Sequence, residues 1–210
     1  MSLSRHHTVA LAAAGCMSAV AITDAVTHGL TGHYSVFSDE SENWPALVLS
    51  AVVHGLAYVA LAWVLLREGD RFAATNRVAR ATRWVVIACL GVLAAGFLLI
   101  QPFLDPRGGY DGALYETFGV LVGPAFLGML LGSMGLGLAL LRSPALGIGP
   151  RMLALMLPVL GVTVLLGWLA PAWAHPAYLE TTFSFGLALL GVRATQPATR
   201  AAIASPTAAV

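Results

Sequence analysis

No lysine occurs in this chain, and all 11 basic residues are arginine. That absence excludes a lysine Schiff base, and with it any retinal-type pigment, and it fits a GC-rich bacterial coding bias. Cysteine is nearly absent too. The 2 present, Cys16 and Cys89, lie in different apolar runs with no Cys-x-x-Cys pair and no metal-type spacing. A disulfide framework and a quinone-disulfide oxidoreductase are therefore excluded, and both cysteines read as buried small apolar residues. Charge is scarce: 10% of residues are charged, against roughly 25% in a soluble globular domain. There is no room for a soluble domain, a nucleotide-binding module or a nucleic-acid-binding face.

What the chain has instead is apolar length. Hydrophobic residues make up 58% of it and the mean hydropathy is +0.81. Apolar runs at about 8–30, 44–66, 84–104, 114–141, 152–170 and 177–192 each approach the about 20 residues a membrane helix needs. The expected fold is all-α, a polytopic bundle of six transmembrane helices, followed by a disordered tail over 194–210 rich in Ala, Thr and Pro. The last run is the shortest and opens on polar Tyr178, Glu180, Thr181 and Thr182. The segment Ala13-Ala14-Gly15-Cys16 resembles a lipoprotein-type cleavage site. The apolar core before it is short, however, and the run continues through Ile22, so no cleavage is expected.

Charge asymmetry orients the bundle. Arg5, then Arg67, Arg71, Arg77, Arg80 and Arg83, then Arg142 and Arg151, then Arg193 and Arg200 alternate with the apolar runs on one side, and Arg107 stands alone on the other. Asp24, Asp39, Glu40, Glu42, Asp105, Asp111, Glu116 and Glu180 gather at the opposite ends, leaving Glu68 and Asp70 with the arginines. The positive-inside rule then places both termini in the cytoplasm of a multi-pass bacterial plasma-membrane protein. A five-span chain would put Arg193 and Arg200 outside. Trp44, Trp168, Trp173, Tyr110, Tyr115 and Tyr178 mark the outer boundary and Trp63 and Trp84 the inner one.

Polar residues within the runs locate a candidate site, because an ionisable group in hydrocarbon is costly and survives with a partner or a role. Asp24 lies roughly 9 Å inside the first run at 1.5 Å per residue. His28 follows at i+4, a spacing that places carboxylate and imidazole on one helix face. His54 lies near the middle of the second run on a stripe with Ser50 and Tyr58. Glu116 and Glu180 complete the set from the fourth and sixth runs, with His175, His33 and Asp105 at the rim. The bland alternative makes Glu116, Glu180 and Asp105 solvated helix-end residues and His54 a hydrogen-bonded packing residue. His6 and His7 read as cytoplasmic surface residues.

Several chemistries are tested against this set. A rhomboid-type protease needs Gly-x-Ser-Gly and a histidine in the last span, and neither is present. A bis-histidine haem needs two histidines at matched depth, for which His28 and His54 are a loose fit. Asp24, His28, His54 and Glu116 have acceptable zinc-ligand types without a diagnostic spacing such as His-Glu-x-x-His, so no metal is assigned and no cofactor is named. The leading expectation is acid–base chemistry by Asp24, His28, His54, Glu116 and Glu180 on a lipid-like, isoprenoid-type substrate. Trp44, Ser50, Tyr58, Tyr115 and Trp168 would contact the substrate, and Trp44, Tyr58 and Trp168 would stabilise a cationic intermediate. Cyclisation or double-bond isomerisation suits such a site. The alternatives are a small proton- or cation-coupled transporter and a structural or partner-binding membrane protein. The inner halves of the runs are almost wholly apolar, which favours a dead-end cavity open to the outside or the outer leaflet.

Two further patterns bear on architecture. Gly119, Gly123, Gly128, Gly132, Gly135 and Gly137 include small-xxx-small pairs, which place the fourth run at the bundle centre or at a homodimer seam. The third-to-fourth and fifth-to-sixth connections both re-enter through Glu-Thr and Phe, as Glu116-Thr117-Phe118 and as Glu180-Thr181-Thr182-Phe183, the pattern a hairpin duplication would leave.

Overall fold

A computed structural model describes residues 3–38, 41–104, 112–143 and 146–192. The charged positions Asp39, Glu40, Asp105, Arg107, Asp111, Arg193 and Arg200, the boundary residue Tyr110 and the tail 194–210 lie outside the described residues. Every element among those described is helical: α1 (Arg5–Thr31), α2 (Trp44–Arg67), α3 (Gly69–Ala73), α4 (Arg77–Ala95), α5 (Ala113–Leu140), α6 (Gly149–Ala154), α7 (Met156–Leu169) and α8 (Ala177–Ala188). Five stretches are long and apolar enough to cross a membrane: Arg5–Thr31, Trp44–Arg67, Arg77–Phe103, Ala113–Leu140 and Gly149–Leu169. The chain is an integral membrane protein built on these apolar helices.

Local chemistry sets the helix ends. α1 stops at Gly32, whose left-handed backbone (φ 74) suits a residue without a side chain and whose N–H caps the His28 carbonyl. Asn43 and Asn76 start α2 and α4, their side chains accepting the Ala46 and Ala79 N–H groups. α4 begins inside the arginine run, earlier than the apolar run expected over 84–104, because arginine is a good helix former and the Asn76 cap fixes the start. Beyond Ala95 the third stretch loosens into a π-helical turn, Gly96–Ile100, and a 3₁₀ turn, Gln101–Phe103. The fifth stretch breaks at Leu155, because Pro158 has no N–H to offer the Ala154 carbonyl.

In space the order α1, α2, α4, α5, α6, α8 closes back on α1. α7 stands outside this ring, with Met156 its one buried residue. The interior is filled by Met17, Tyr58, Leu61, Leu90, Met129, Leu136 and Phe183, all fully buried. Of the expected close-packing glycines, Gly128, Gly132 and Gly137 lie against Cys89, Val86 and the Leu153–Ala154 backbone, whereas nothing lies within 4 Å of an added Cβ at Gly119 or Gly123. α8 has 12 residues, fewer than a full crossing needs. Its flanks extend it: the chain from His175 to Leu190 runs beside α1, with His175 on Asp24 and the Leu190 carbonyl on His7.

Two expectations are corrected at this level. Cys16 is exposed on the outer face of α1, and Cys89 is half-buried. His7 is buried and His6 half-buried, because the start of α1 packs against the ends of α2 and α8. Arg83 also turns inward. Its guanidinium donates to the Leu65 carbonyl at 2.7 Å and lies over the rings of Phe72 and Trp84.

Candidate functional site at the acidic end of the bundle

A cavity of about 300 Å³ opens among α1, α2, the π-helical turn, the start of α5 and the start of α8. Asp24 stands on its α1 wall, Ser50 and His54 on α2, Phe97 and Gln101 on the turn beyond α4, Phe118 on α5, and His175 and Glu180 on the last segment. Tyr34, Phe37 and Ser38 close it from the loop after α1. Phe97 and Gln101, four residues apart, lie on one face of this stretch and both reach the cavity wall.

Two imidazole–carboxylate pairs flank this space and differ in closure. In the first, His175 Nε2 lies 3.2 Å from Asp24 Oδ2, while Asp24 Oδ1 accepts the Ser35 N–H at 2.7 Å. His175 Nδ1 accepts the Ala177 N–H at 3.2 Å. The hydrogen-bond network therefore assigns a neutral imidazole with its proton on Nε2, donated to the carboxylate. This pair is a latch joining α1, the loop after it and the entry to α8. In the second, His54 Nδ1 donates to the Ser50 carbonyl at 2.8 Å, which turns the Nε2 lone pair towards Glu180 Oε2 at 3.9 Å. That separation exceeds a hydrogen bond. The His54 ring stacks on Phe97 with centroids 5.5 Å apart, and Phe97 meets Phe118 edge-on at 5.7 Å.

The lining is rich in acceptors. It holds two carboxylates and the Gln101 amide, whose Oε1 is enclosed without a hydrogen-bond partner among the described residues. A buried carbonyl oxygen left unpaired is uncommon and costs stability unless something fills its need. Among the described residues, no arginine lines the cavity. Acceptor excess and aromatic faces together favour positive charge or a hydrogen-bond donor inside.

Of the expected site residues, Asp24, Ser50, His54 and Glu180 come together at the cavity, with His175 from the rim. The others lie elsewhere. His28 does not close on Asp24 across its i+4 spacing; its Nδ1 lies 2.8 Å from the Ala172 carbonyl and its ring stacks on Tyr34 at 4.3 Å. Glu116 is exposed in the first turn of α5. Trp44 donates to the Pro102 carbonyl at the surface, Trp168 is 84% exposed, and Tyr115 is half-buried off the cavity wall. Tyr58 is fully buried one turn from His54, and its hydroxyl has no hydrogen-bond partner among the described residues. His33 is exposed, and Asp105 lies outside the described residues.

The residues that sequence reasoning passes over are Tyr34, Phe37, Ser38, Phe97, Gln101 and Phe118. Gln101 carries a legible signal, a lone amide closing an apolar run directly before Pro102. The phenylalanines carry none, because aromatic residues are ordinary in apolar helices. Comparison with protein-family models, with known proteins and with solved structures finds no match to this chain.

Proposed function

We propose that this protein is a membrane-embedded acid–base enzyme that moves a proton on a lipid-like, isoprenoid-type molecule, as an isomerase or cyclase does. In this reading six segments cross a bacterial plasma membrane with both termini cytoplasmic, as the arginine distribution favours, and the cavity faces the outer half. One observation carries the proposal: His54 Nε2 and Glu180 Oε2 face each other at 3.9 Å on the wall of an aromatic, acceptor-rich cavity. The volume is at the small end of ligand pockets, so it suits a short molecule or the end of a longer chain.

The chemistry follows from the tautomer. Glu180, protonated, delivers its proton to an alkene carbon; a C–H bond forms and positive charge develops beside Phe97 and Phe118. His54 Nε2, held as a base by the Nδ1–H bond to Ser50, removes a proton from the neighbouring carbon, and the double bond is shifted. The proton then crosses from His54 to Glu180, restoring both groups without an external donor. In a cyclisation a second double bond attacks the cation before that proton is lost. Asp24 and His175 position the loop and the start of α8 around the cavity.

The test incubates the protein in nanodiscs with farnesol, and separately with a total bacterial lipid extract, in deuterated water. Deuterium entering an isoprenoid carbon is expected with the wild type and falls at least about 100-fold in Glu180→Gln and in His54→Ala. Equal incorporation in all three proteins, or none in any, overturns the proposal.

A second reading, a proton- or cation-coupled transporter, is favoured by the enclosed hydroxyls of Ser18, Tyr58, Ser133 and Thr181, which have no hydrogen-bond partner among the described residues. Such groups can take up water and carry protons. Acidification of vesicles reconstituted with the wild type and abolished in Tyr58→Phe would support it.

A further inference from the structure

The opposite end of the bundle holds a second cluster of imidazoles and carboxylate that the cavity chemistry does not use. We propose that His6, His7 and Glu68 bind a borderline divalent transition metal such as Zn²⁺ at the arginine-rich end. Neighbouring residues on a helix point about 100° apart, so a histidine pair alone does not chelate. Here the third group arrives from the end of α2 and meets both. One ligand atom from each of the three lies within 4.8 Å of the other two. Tetrahedral zinc with bonds near 2.05 Å needs its ligands about 3.3 Å apart. His6 Nε2 stands 3.2 Å from Glu68 Oε1, and His7 Nε2 stands 3.9 Å from the same oxygen. A contraction of the second pair, and of the two imidazoles whose ligand atoms lie within 4.8 Å of each other, brings the three to that spacing.

The surroundings supply what a ligand set requires. Ser4 Oγ lies 2.6 Å from His7 Nδ1 and 3.1 Å from the His6 ring nitrogens. An Nδ1–H on His7 donated to Ser4 fixes the tautomer that leaves Nε2 free for a metal, the usual arrangement around a ligating histidine. His7 Nε2 also lies 2.7 Å from the Leu190 carbonyl. Without metal that contact is an N–H donated to the carbonyl; with metal the proton moves to Nδ1, and the carbonyl is released or joins as a fourth ligand. The second oxygen of Glu68 is held by Arg71 Nη1 at 2.7 Å, and the same nitrogen donates to the Gly191 carbonyl. Arg71 thus orients the carboxylate and competes with the metal for its charge. Two imidazoles and one carboxylate oxygen suit Zn²⁺, Co²⁺ or Ni²⁺ far better than Ca²⁺ or Mg²⁺. The His6 side chain is 17% exposed, which gives the ion an entry from solvent.

The full chain, purified in detergent through a tag without histidine and stripped with chelator, is titrated with Co²⁺ and followed by its visible absorption. The expected result is a one-equivalent band, bleached by Zn²⁺. His6→Ala and His7→Gln each weaken binding at least about tenfold, and Arg71→Gln strengthens it by removing the competing cation. No band at about 100 μM Co²⁺, or a titration unchanged in both His6→Ala and Glu68→Gln, overturns the site and leaves an ionic clamp. His6 is the least buried of the three, so its variant remains folded and decides the matter if Glu68→Gln does not fold.

Discussion

Both ends of the bundle bring imidazoles to carboxylates, yet they end in different states. At the arginine-rich end Glu68 meets Arg71, His6 and His7, and the remaining donors close on the Leu190 and Gly191 carbonyls. At the acidic end two carboxylates share two imidazoles with no arginine in the lining among the described residues, and one of the two pairs stays 3.9 Å apart beside a cavity. The ratio of cations to carboxylates separates the two. Where cations are in excess the polar groups tie helices together; at the acidic end one pair ties the helices and the other lines the cavity with its two members 3.9 Å apart.

Four substitutions would break or sharpen this contrast, and chemical unfolding in detergent reads all of them. The largest effect is expected from Glu68→Ala, which leaves Arg71 and two imidazoles without their shared anion. A loss of about 2–3 kcal/mol is expected, below that of a fully buried pair because the Arg71 side chain is 40% exposed. Next comes Asp24→Asn, which keeps one acceptor but removes the charge that holds Ser35 and His175. It should cost about 1–2 kcal/mol and speed amide exchange in the loop after α1. Glu180→Gln should change stability by less than about 1 kcal/mol, because the amide keeps the shape and acceptor oxygen of the carboxylate and the His54 contact whose charge it removes is long, while removing proton transfer. A larger loss of stability would make this pair a second latch and remove the contrast. Smallest of all, Tyr58→Phe deletes a buried hydroxyl that has no hydrogen-bond partner among the described residues, so stability is expected to stay level or rise by up to about 1 kcal/mol. A clear loss would reveal a partner for that hydroxyl, such as enclosed water.

Much of the architecture is legible in the sequence, and specific residues show why the rest is not. The apolar runs and the alternation of arginine with them announce membrane helices, and Gly32, Asn43 and Asn76 mark helix ends by local chemistry. The break at Leu155 follows from Pro158. Within the site, Asp24, His54 and Glu180 stand out because charged and imidazole groups in apolar helices are rare. Their partners do not stand out. Asp24 takes its second hydrogen bond from His175, 151 positions away, although His28 lies at the favourable i+4 spacing. The metal-type cluster is equally hidden: His6 and His7 look like surface residues until the ends of α2 and α8 fold against them.

Composition and local pattern alone determined that this chain enters a membrane as apolar helices, which arginine end they share, and that a few ionisable groups lie among them. Tertiary structure alone decided which of those groups meet. The physical reason is that lipid is as apolar as a helix-bundle core, so hydropathy marks a membrane helix without saying which of its faces turns inward. The rotation of each helix about its axis, and the order α1, α2, α4, α5, α6, α8 around the ring, come instead from close packing at residues such as Gly137 and from a few buried polar contacts. Those contacts turn His54 towards Glu180 and His7 towards Glu68.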